Sequence, residues 1–163
     1  MEFALKDNYY LDIAEAVSKK STCLRRQFGA VIVNNDEVLS TGFNGAPRGR
    51  TNCSDLPTGC VREKLHIPRG ERYELCRSVH AEANAIISCS RDRMLNGTLY
   101  LVGKDVATGS YVPQTNPCSM CKRLILNAGI SKVVCRENSE SFVTIDTSSW
   151  ISNDESLEGI FGY

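Results

Sequence analysis

The sequence predicts an α/β layered domain around a mostly parallel sheet that opens with a hairpin. Three observations carry that expectation. Apolar runs of strand type, at 29–33, 38–43, 98–102 and 132–136, alternate with stretches carrying helical period or helix-start signals. The first two runs are joined by Asn34-Asn35-Asp36, a turn that returns the chain on itself. The later runs are separated by segments long enough for a crossover helix, which brings successive strands into parallel. A chain of 163 residues, 42% of them hydrophobic, suits one domain, 1–163, that buries roughly two-thirds of its unfolded surface.

Taken in order, Asp7-Asn8 is placed to cap a first helix running to about Lys20. Tyr10, Ile13, Ala14 and Val17 recur at intervals of three and four and give it one apolar face. Ser21-Thr22-Cys23 ends it, and the hairpin of Gly29–Val33 and Val38–Phe43 follows. Residues 44–77 have no period; they hold three cysteines and seven basic side chains, Arg48, Arg50, Arg62, Lys64, Arg69, Arg72 and Arg77. A loop of this length inside a small domain needs a function or a staple. Ser78 is placed to cap a helix to about Ser90 with His80 and Glu82 in its first turn. After the strand Thr98–Val102, Asn116 is the expected cap of another helix, Pro117 its first residue and Gly129 its end. Lys132–Arg136 and Phe142–Ile145 complete the strands. From Glu137 onward the chain has six acidic residues and no basic one, which reads as a solvated or partner-facing cap.

The chemistry concentrates in two short motifs. His80-Ala81-Glu82 carries one of the two histidines, with a carboxylate two positions on. Pro117-Cys118-Ser119-Met120-Cys121 carries two thiols three positions apart, on one face of a helical turn. One imidazole and two thiolates are three zinc ligands, and three ligands leave the fourth tetrahedral position open, as in catalytic sites. A helix N-terminus and the metal both favour the thiolate form that zinc requires. Glu82 is not needed as a ligand and is free to move protons. H-x-E followed by P-C-x-x-C is the pattern of zinc-dependent nucleobase deaminases, in which the metal activates water and the Glu serves as general acid and base. A structural zinc would normally close its fourth position with Cys or His. Finding both motifs at helix starts, with Glu82 beside the imidazole, argues for the open site.

Composition bounds the alternatives. A formal net charge of zero speaks against a nucleic-acid surface, which needs an excess of Lys and Arg. No apolar run approaches the ~20 residues of a membrane span, and Met1–Asp7 does not read as a signal peptide, so the expected compartment is cytoplasmic. Eight cysteines in a reducing compartment point to metal or catalysis before disulfides. Cys23, Cys53, Cys60 and Cys76, in or beside the irregular 44–77 stretch, suggest a second, closed structural zinc stapling that loop, the alternative being four unrelated thiols. Cys89 and Cys135 read as core residues.

The chain resembles the deoxycytidylate deaminases of the cytidine-deaminase-like superfamily over nearly all its length. The matching pieces are Ser21-Thr22-Cys23, Gly29–Val33, Gly42-Phe43-Asn44-Gly45-Ala46-Pro47, His80–Ile86, Pro117–Cys121 and Leu126–Ile130. The resemblance implies a three-layer α/β/α fold with a central five-stranded mixed sheet, assembled into hexamers. It implies hydrolysis of dCMP to dUMP and ammonia, feeding thymidylate synthesis, with dCTP and dTTP as possible effectors. Carried onto this chain, it makes Glu82 the catalytic residue and His80, Cys118 and Cys121 the ligands of the catalytic Zn2+. Cys23 and Cys53 match a second zinc site best, with Cys60 and Cys76 completing it and His66 able to replace one of them. Asn44 and Ala81 become substrate contacts. The 5′-phosphate needs a cation, for which Arg25, Arg26, Arg48 and Arg50 are candidates. A tRNA adenosine deaminase shares both metal motifs but usually lacks the Cys-rich insertion and carries a more basic surface. A non-catalytic zinc-stapled binding module would not require Glu82.

Overall fold

The computed structural model describes residues 2–158, and among these a five-stranded sheet carries helices on both faces. Helix α1 (Glu2–Ser18) leads into the hairpin of β1 (Arg26–Asn34) and β2 (Glu37–Phe43). The 44–77 stretch contains a short helix, α2 (Val61–Lys64), flanked by single 3-10 turns at 53–55 and 73–75. Then come α3 (Ala81–Ile87), α4 (Arg91–Met94), β3 (Thr98–Asp105), α5 (Ser119–Ala128), β4 (Lys132–Arg136), β5 (Phe142–Asp146) and α6 (Ser148–Ser152).

The strand order is β2-β1-β3-β4-β5. Strand β1 is antiparallel to both β2 and β3, β3 is parallel to β4, and β4 is antiparallel to β5. The sheet is therefore mixed, as the resemblance implied, and not mostly parallel, as the alternation of elements suggested. The physical reason is the position of β1. The connection from β2 through α3 to β3 does join two strands of the same direction, but β1 lies between them and opposes both.

Period-two alternation sorts the sheet's side chains between two cores. Ala30, Ile32, Leu99, Leu101, Val133 and Cys135 meet Ala81, Ala85, Ile125 and Ala128 of α3 and α5 on one face. Val31, Val33, Tyr100, Val102 and Val134 meet Tyr10, Leu11 and Ala14 of α1 on the other. Helix α1 begins at Glu2, so Asp7 and Asn8 lie inside it and do not cap it. Their polar groups serve tertiary bonds: the Tyr100 hydroxyl donates to Asp7 Oδ1 at 2.7 Å, and Arg136 Nη2 donates to Asn8 O and Oδ1, both at 3.2 Å. Arg136 itself is buried in β4 and donates through Nη1 to Asp12 Oδ1 at 2.8 Å.

The hairpin turn uses two left-handed residues, Asn35 (φ 50°) and Asp36 (φ 61°), the conformation that matches the twist of the paired strands. The 44–77 stretch is pinned by paired backbone bonds between Gly45 and Val79 and by Ser54 N–H to Thr22 O at 3.1 Å. The acidic end of the chain is docked as well as solvated: Lys122 of α5 lies 5.4 Å from the Trp150 ring and 3.9 Å from Glu155. No helix among the described residues is long and apolar enough to cross a membrane.

Candidate active site

The site is built where two helices begin. His80 occupies the N-cap position of α3, with extended dihedrals (φ −69°, ψ 152°). Cys118 occupies the same position on α5 (φ −66°, ψ 165°), and Cys121 lies in that helix's first turn. The sequence expectation that Ser78 and Asn116 cap these helices is not met. An N-cap residue turns its side chain across the helix end, and here that place is taken by the residues that must reach the shared point. His80 Nδ1 stands 3.5 Å from Cys118 Sγ and 3.4 Å from Cys121 Sγ, and the three donor atoms all lie within 4.8 Å of one another. A tetrahedral zinc has sulfur at about 2.3 Å and nitrogen at about 2.0 Å, which makes its nitrogen–sulfur edges about 3.5 Å. The donor set fits that ion in chemistry and in size.

The same groups are strongly coupled to one another electrostatically. The bond from Cys121 pulls the Cys118 thiol down to about 4, against burial and with help from His80. The same bond, with burial, pushes the Cys121 thiol up, so the pair holds one thiolate. Burial would lower His80, but the Cys118 bond and the charge of Glu82 outweigh it and raise the imidazole above its ordinary value. Glu82, only 5% exposed, is raised above the usual carboxylate range by burial, with His80 opposing the shift. Burial favours the protonated form of this carboxyl, the form that has a proton to deliver.

A wall of side chains from the irregular insertion backs the imidazole. Tyr73 meets His80 edge-on, with centroids 4.9 Å apart and planes at 84°. The Arg62 guanidinium lies 5.1 Å from the Tyr73 ring and donates to Arg72 O at 3.0 Å and Pro68 O at 2.9 Å. Arg62 is buried, and its bonds gather the 68–72 turn behind the site. Sequence reasoning gave neither residue a role, because a stretch without period offers no signal of which side chains turn inward.

His80, Glu82 and Cys118 open onto a cavity of about 130 Å³. Ala81, Asn44, Arg25 and Arg26 also line it. Asn44 is largely committed to the fold: its Oδ1 accepts from Ser21 Oγ at 2.6 Å and Phe28 N–H at 2.8 Å, and its Nδ2 donates to Arg26 O at 2.9 Å. These bonds tie the end of β2 to the start of β1 at the cavity wall.

Residues 5–137 match the family described as the cytidine and deoxycytidylate deaminase zinc-binding region. The chain belongs to this family. The deoxycytidylate deaminase of Mycobacterium phage D29 is 37% identical over 131 residues, covering 78% of this chain and 91% of the phage protein. That of Schizosaccharomyces pombe is 34% identical over 128 residues, covering 78% of this chain but 36% of the yeast protein. The chain thus spans most of the phage relative and about a third of the yeast one. Among solved structures, the apo dCMP deaminase of cyanophage S-TIM5 matches with a TM-score of 0.56 at 27% identity, over 81% of this chain and 82% of that one. The same cyanophage enzyme in complex with dCMP and dUMP gives a TM-score of 0.54 at 27% identity, over 80% and 79% of the two chains.

The remaining residues singled out in this deaminase-family chain differ in where they stand relative to the cavity. Cys23, Cys53, Cys60 and Cys76 line the same cavity, and three of their sulfurs accept local bonds, Cys23 from Arg25 N–H, Cys76 from Ser78 N–H and Cys53 from Arg77. They do not gather as tightly as the inner three donors; among the described residues the cluster within 4.8 Å is His80, Cys118 and Cys121. Arg25 lies 3.4 Å from Glu63. His66 sits exposed in a left-handed turn (φ 54°), and Arg48 and Arg50 are exposed; none of the three lines the cavity. Arg69 and Arg77 do line it, without having been singled out as substrate contacts. Cys135 is buried in the core under α3 and α5, and Cys89 is half-buried against it.

Proposed function

We propose that the chain catalyses hydrolytic deamination of dCMP to dUMP and ammonia, supplying the precursor of dTMP. The observation that carries the reading is the buried carboxyl of Glu82 beside a three-donor His80–Cys118–Cys121 cluster at the wall of a cavity. The relatives named deoxycytidylate deaminase support the choice of substrate. His80, Cys118 and Cys121 would hold zinc, which when bound supplies the Lewis acidity that makes water a nucleophile at neutral pH.

The chain's own part is proton management. Glu82 takes a proton from the attacking water and passes it to the ring nitrogen next to the carbon under attack. It then takes the proton of the newly added hydroxyl and delivers it to the exocyclic amine, so that the amine departs as ammonia and the carbonyl forms. Its burial keeps bulk water from competing for that proton. Asn44, Ala81, Arg25 and Arg26 are proposed as substrate contacts, supported by their place on the cavity wall. A second zinc on Cys23, Cys53, Cys60 and Cys76 is a separate proposal, supported by the four thiols lining one cavity. Hexameric assembly and control by dCTP and dTTP extend the same reading.

Incubation with dCMP, CMP, deoxycytidine and adenosine-containing tRNA tests the substrate. The expected outcome is ammonia release with dCMP; turnover of the tRNA alone contradicts the proposal.

A further inference from the structure

Arg62 is only 5% exposed, and its guanidinium makes no ion pair among the described residues. Burying a charge costs free energy, and an apolar side chain of similar size would fill the space at lower cost. What arginine adds is a planar fork that donates in two directions while its face lies on a ring. Nη1 donates to Arg72 O at 3.0 Å, Nη2 donates to Pro68 O at 2.9 Å, and the group lies 5.1 Å from the centroid of the Tyr73 ring. These three points bracket the turn that delivers Tyr73. Arg72, just ahead of it, holds a left-handed backbone (φ 52°), which a residue other than glycine adopts at a cost. Its carbonyl accepts from Leu75 N–H at 3.0 Å as well as from Arg62. Tyr73 in turn meets the His80 imidazole edge-on, with 4.9 Å between centroids.

We infer, resting on the zinc reading above, that Arg62 is a positioning residue: it fixes the imidazole of His80 through Tyr73 and so sets how tightly the inner zinc is held. The sign of the effect separates position from charge. A guanidinium near a divalent cation repels it, so a residue acting only through its field would tighten the metal when removed. A residue acting through position loosens the metal instead. The same fork ties down the 68–72 turn, which brings Arg69 and Gly70 to the cavity wall. One side chain thus sets both a metal-ligand ring and one wall of the cavity beside it.

The test is a chelator competition for the inner zinc, followed as the ion that Cys118→Ser lacks. It is run on Arg62→Met and Arg62→Lys, each with Tyr73 in place and in a Tyr73→Ala background. Met keeps the stem without the charge, whereas Lys keeps stem and charge without the fork. With Tyr73 in place, both variants should release zinc about tenfold more readily than the parent. In the Tyr73→Ala background neither should add more than about twofold, because the ring through which Arg62 acts is gone. Unchanged or tighter zinc in either variant would overturn the inference. So would an equal loss in both backgrounds, the result that a general loosening of the insertion gives. Arg62→Lys decides alone if Arg62→Met does not fold. A parent holding no ion that Cys118→Ser lacks would overturn the metal reading itself, and this inference with it.

Discussion

A Cβ added at Gly42 would stand 2.3 Å from the carbonyl oxygen of Ala81, and 2.4 Å from the amide nitrogen of Ala85. The backbone of β2 is thus the seat on which α3 rests, and it sets the depth of the His80–Glu82 turn. Two side-chain bonds fix the same contact: Ser40 Oγ donates to Ala85 O at 2.7 Å, and Asn84 Nδ2 donates to Phe43 O at 2.8 Å. Gly42→Ala leaves the helix no way to stay where it is. Overpacking of this kind costs about 1–3 kcal/mol, and here the displaced element carries His80, a proposed metal ligand. The variant should lose stability in a denaturant titration and also zinc affinity in a chelator competition. Retention of both at parental levels would show that the helix has room to move.

Tyr73 and His80 predict a second effect on the metal. The ring of Tyr73 meets the imidazole edge-on and is itself backed by Arg62. Groups that orient a metal ligand typically change affinity by about 10–100-fold when removed. Tyr73→Ala should therefore release zinc to a chelator at least about tenfold more readily, whereas Tyr73→Phe, which keeps the ring, should fall well short of that.

Zinc content per chain separates the two metal proposals. With both sites filled, elemental analysis of the purified protein gives two ions per chain. Cys118→Ser should abolish activity and leave one ion; Cys53→Ser should also leave one ion but lower thermal stability, since a structural zinc contributes directly to folding. One ion per chain in the parent, with Cys53→Ser as stable as the parent, removes the outer site.

The contacts between α1 and the hairpin predict a pH dependence away from the site. The Tyr10 hydroxyl donates to Asp36, the residue that turns the hairpin, and Lys6 lies 3.1 Å from the same carboxylate. Burial, then the bond to Asp36, pushes the Tyr10 phenol up to about 12. The folded state thus keeps a proton that the unfolded chain loses near 10. Stability from this group is complete below about 10 and falls as pH rises from there towards 12. For Asp36 the sign is opposite. Its bond to Tyr10 and then Lys6 hold the carboxyl below the usual range, so its contribution is present above the ordinary carboxylate pKa and lost on acidification below it. Denaturation curves across pH should show the alkaline loss reduced in Tyr10→Phe. An identical alkaline arm in the variant would contradict the assignment.

What the sequence made legible follows from local rules. Asn34-Asn35-Asp36 announced the hairpin because few residues accept two consecutive left-handed conformations. The 118/121 spacing placed two thiols on one helical face whatever the fold around them. The rest depended on distant partners. That β1 lies between β2 and β3 is decided by long-range pairing, so the alternation of elements suggested a mostly parallel sheet. Asp7 and Asn8 look like caps in isolation, yet they answer Tyr100 and Arg136, residues more than ninety positions away. Ser78 and Asn116 also look like caps, and they lost that place to His80 and Cys118. Tyr73 and Arg62 lie in a stretch with no period to reveal which way they face.

The most direct measurement is the fate of dCMP with the zinc-loaded protein and its Glu82→Gln variant side by side, followed by ammonia release and the ultraviolet change of the base. The account predicts stoichiometric dUMP and ammonia with the parent. In the variant it predicts unchanged fold and zinc content with turnover lower by at least about 10²–10⁴-fold, the contribution of a positioned acid–base group. Parental rates in Glu82→Gln, or a zinc-loaded parent that leaves dCMP untouched, would contradict it.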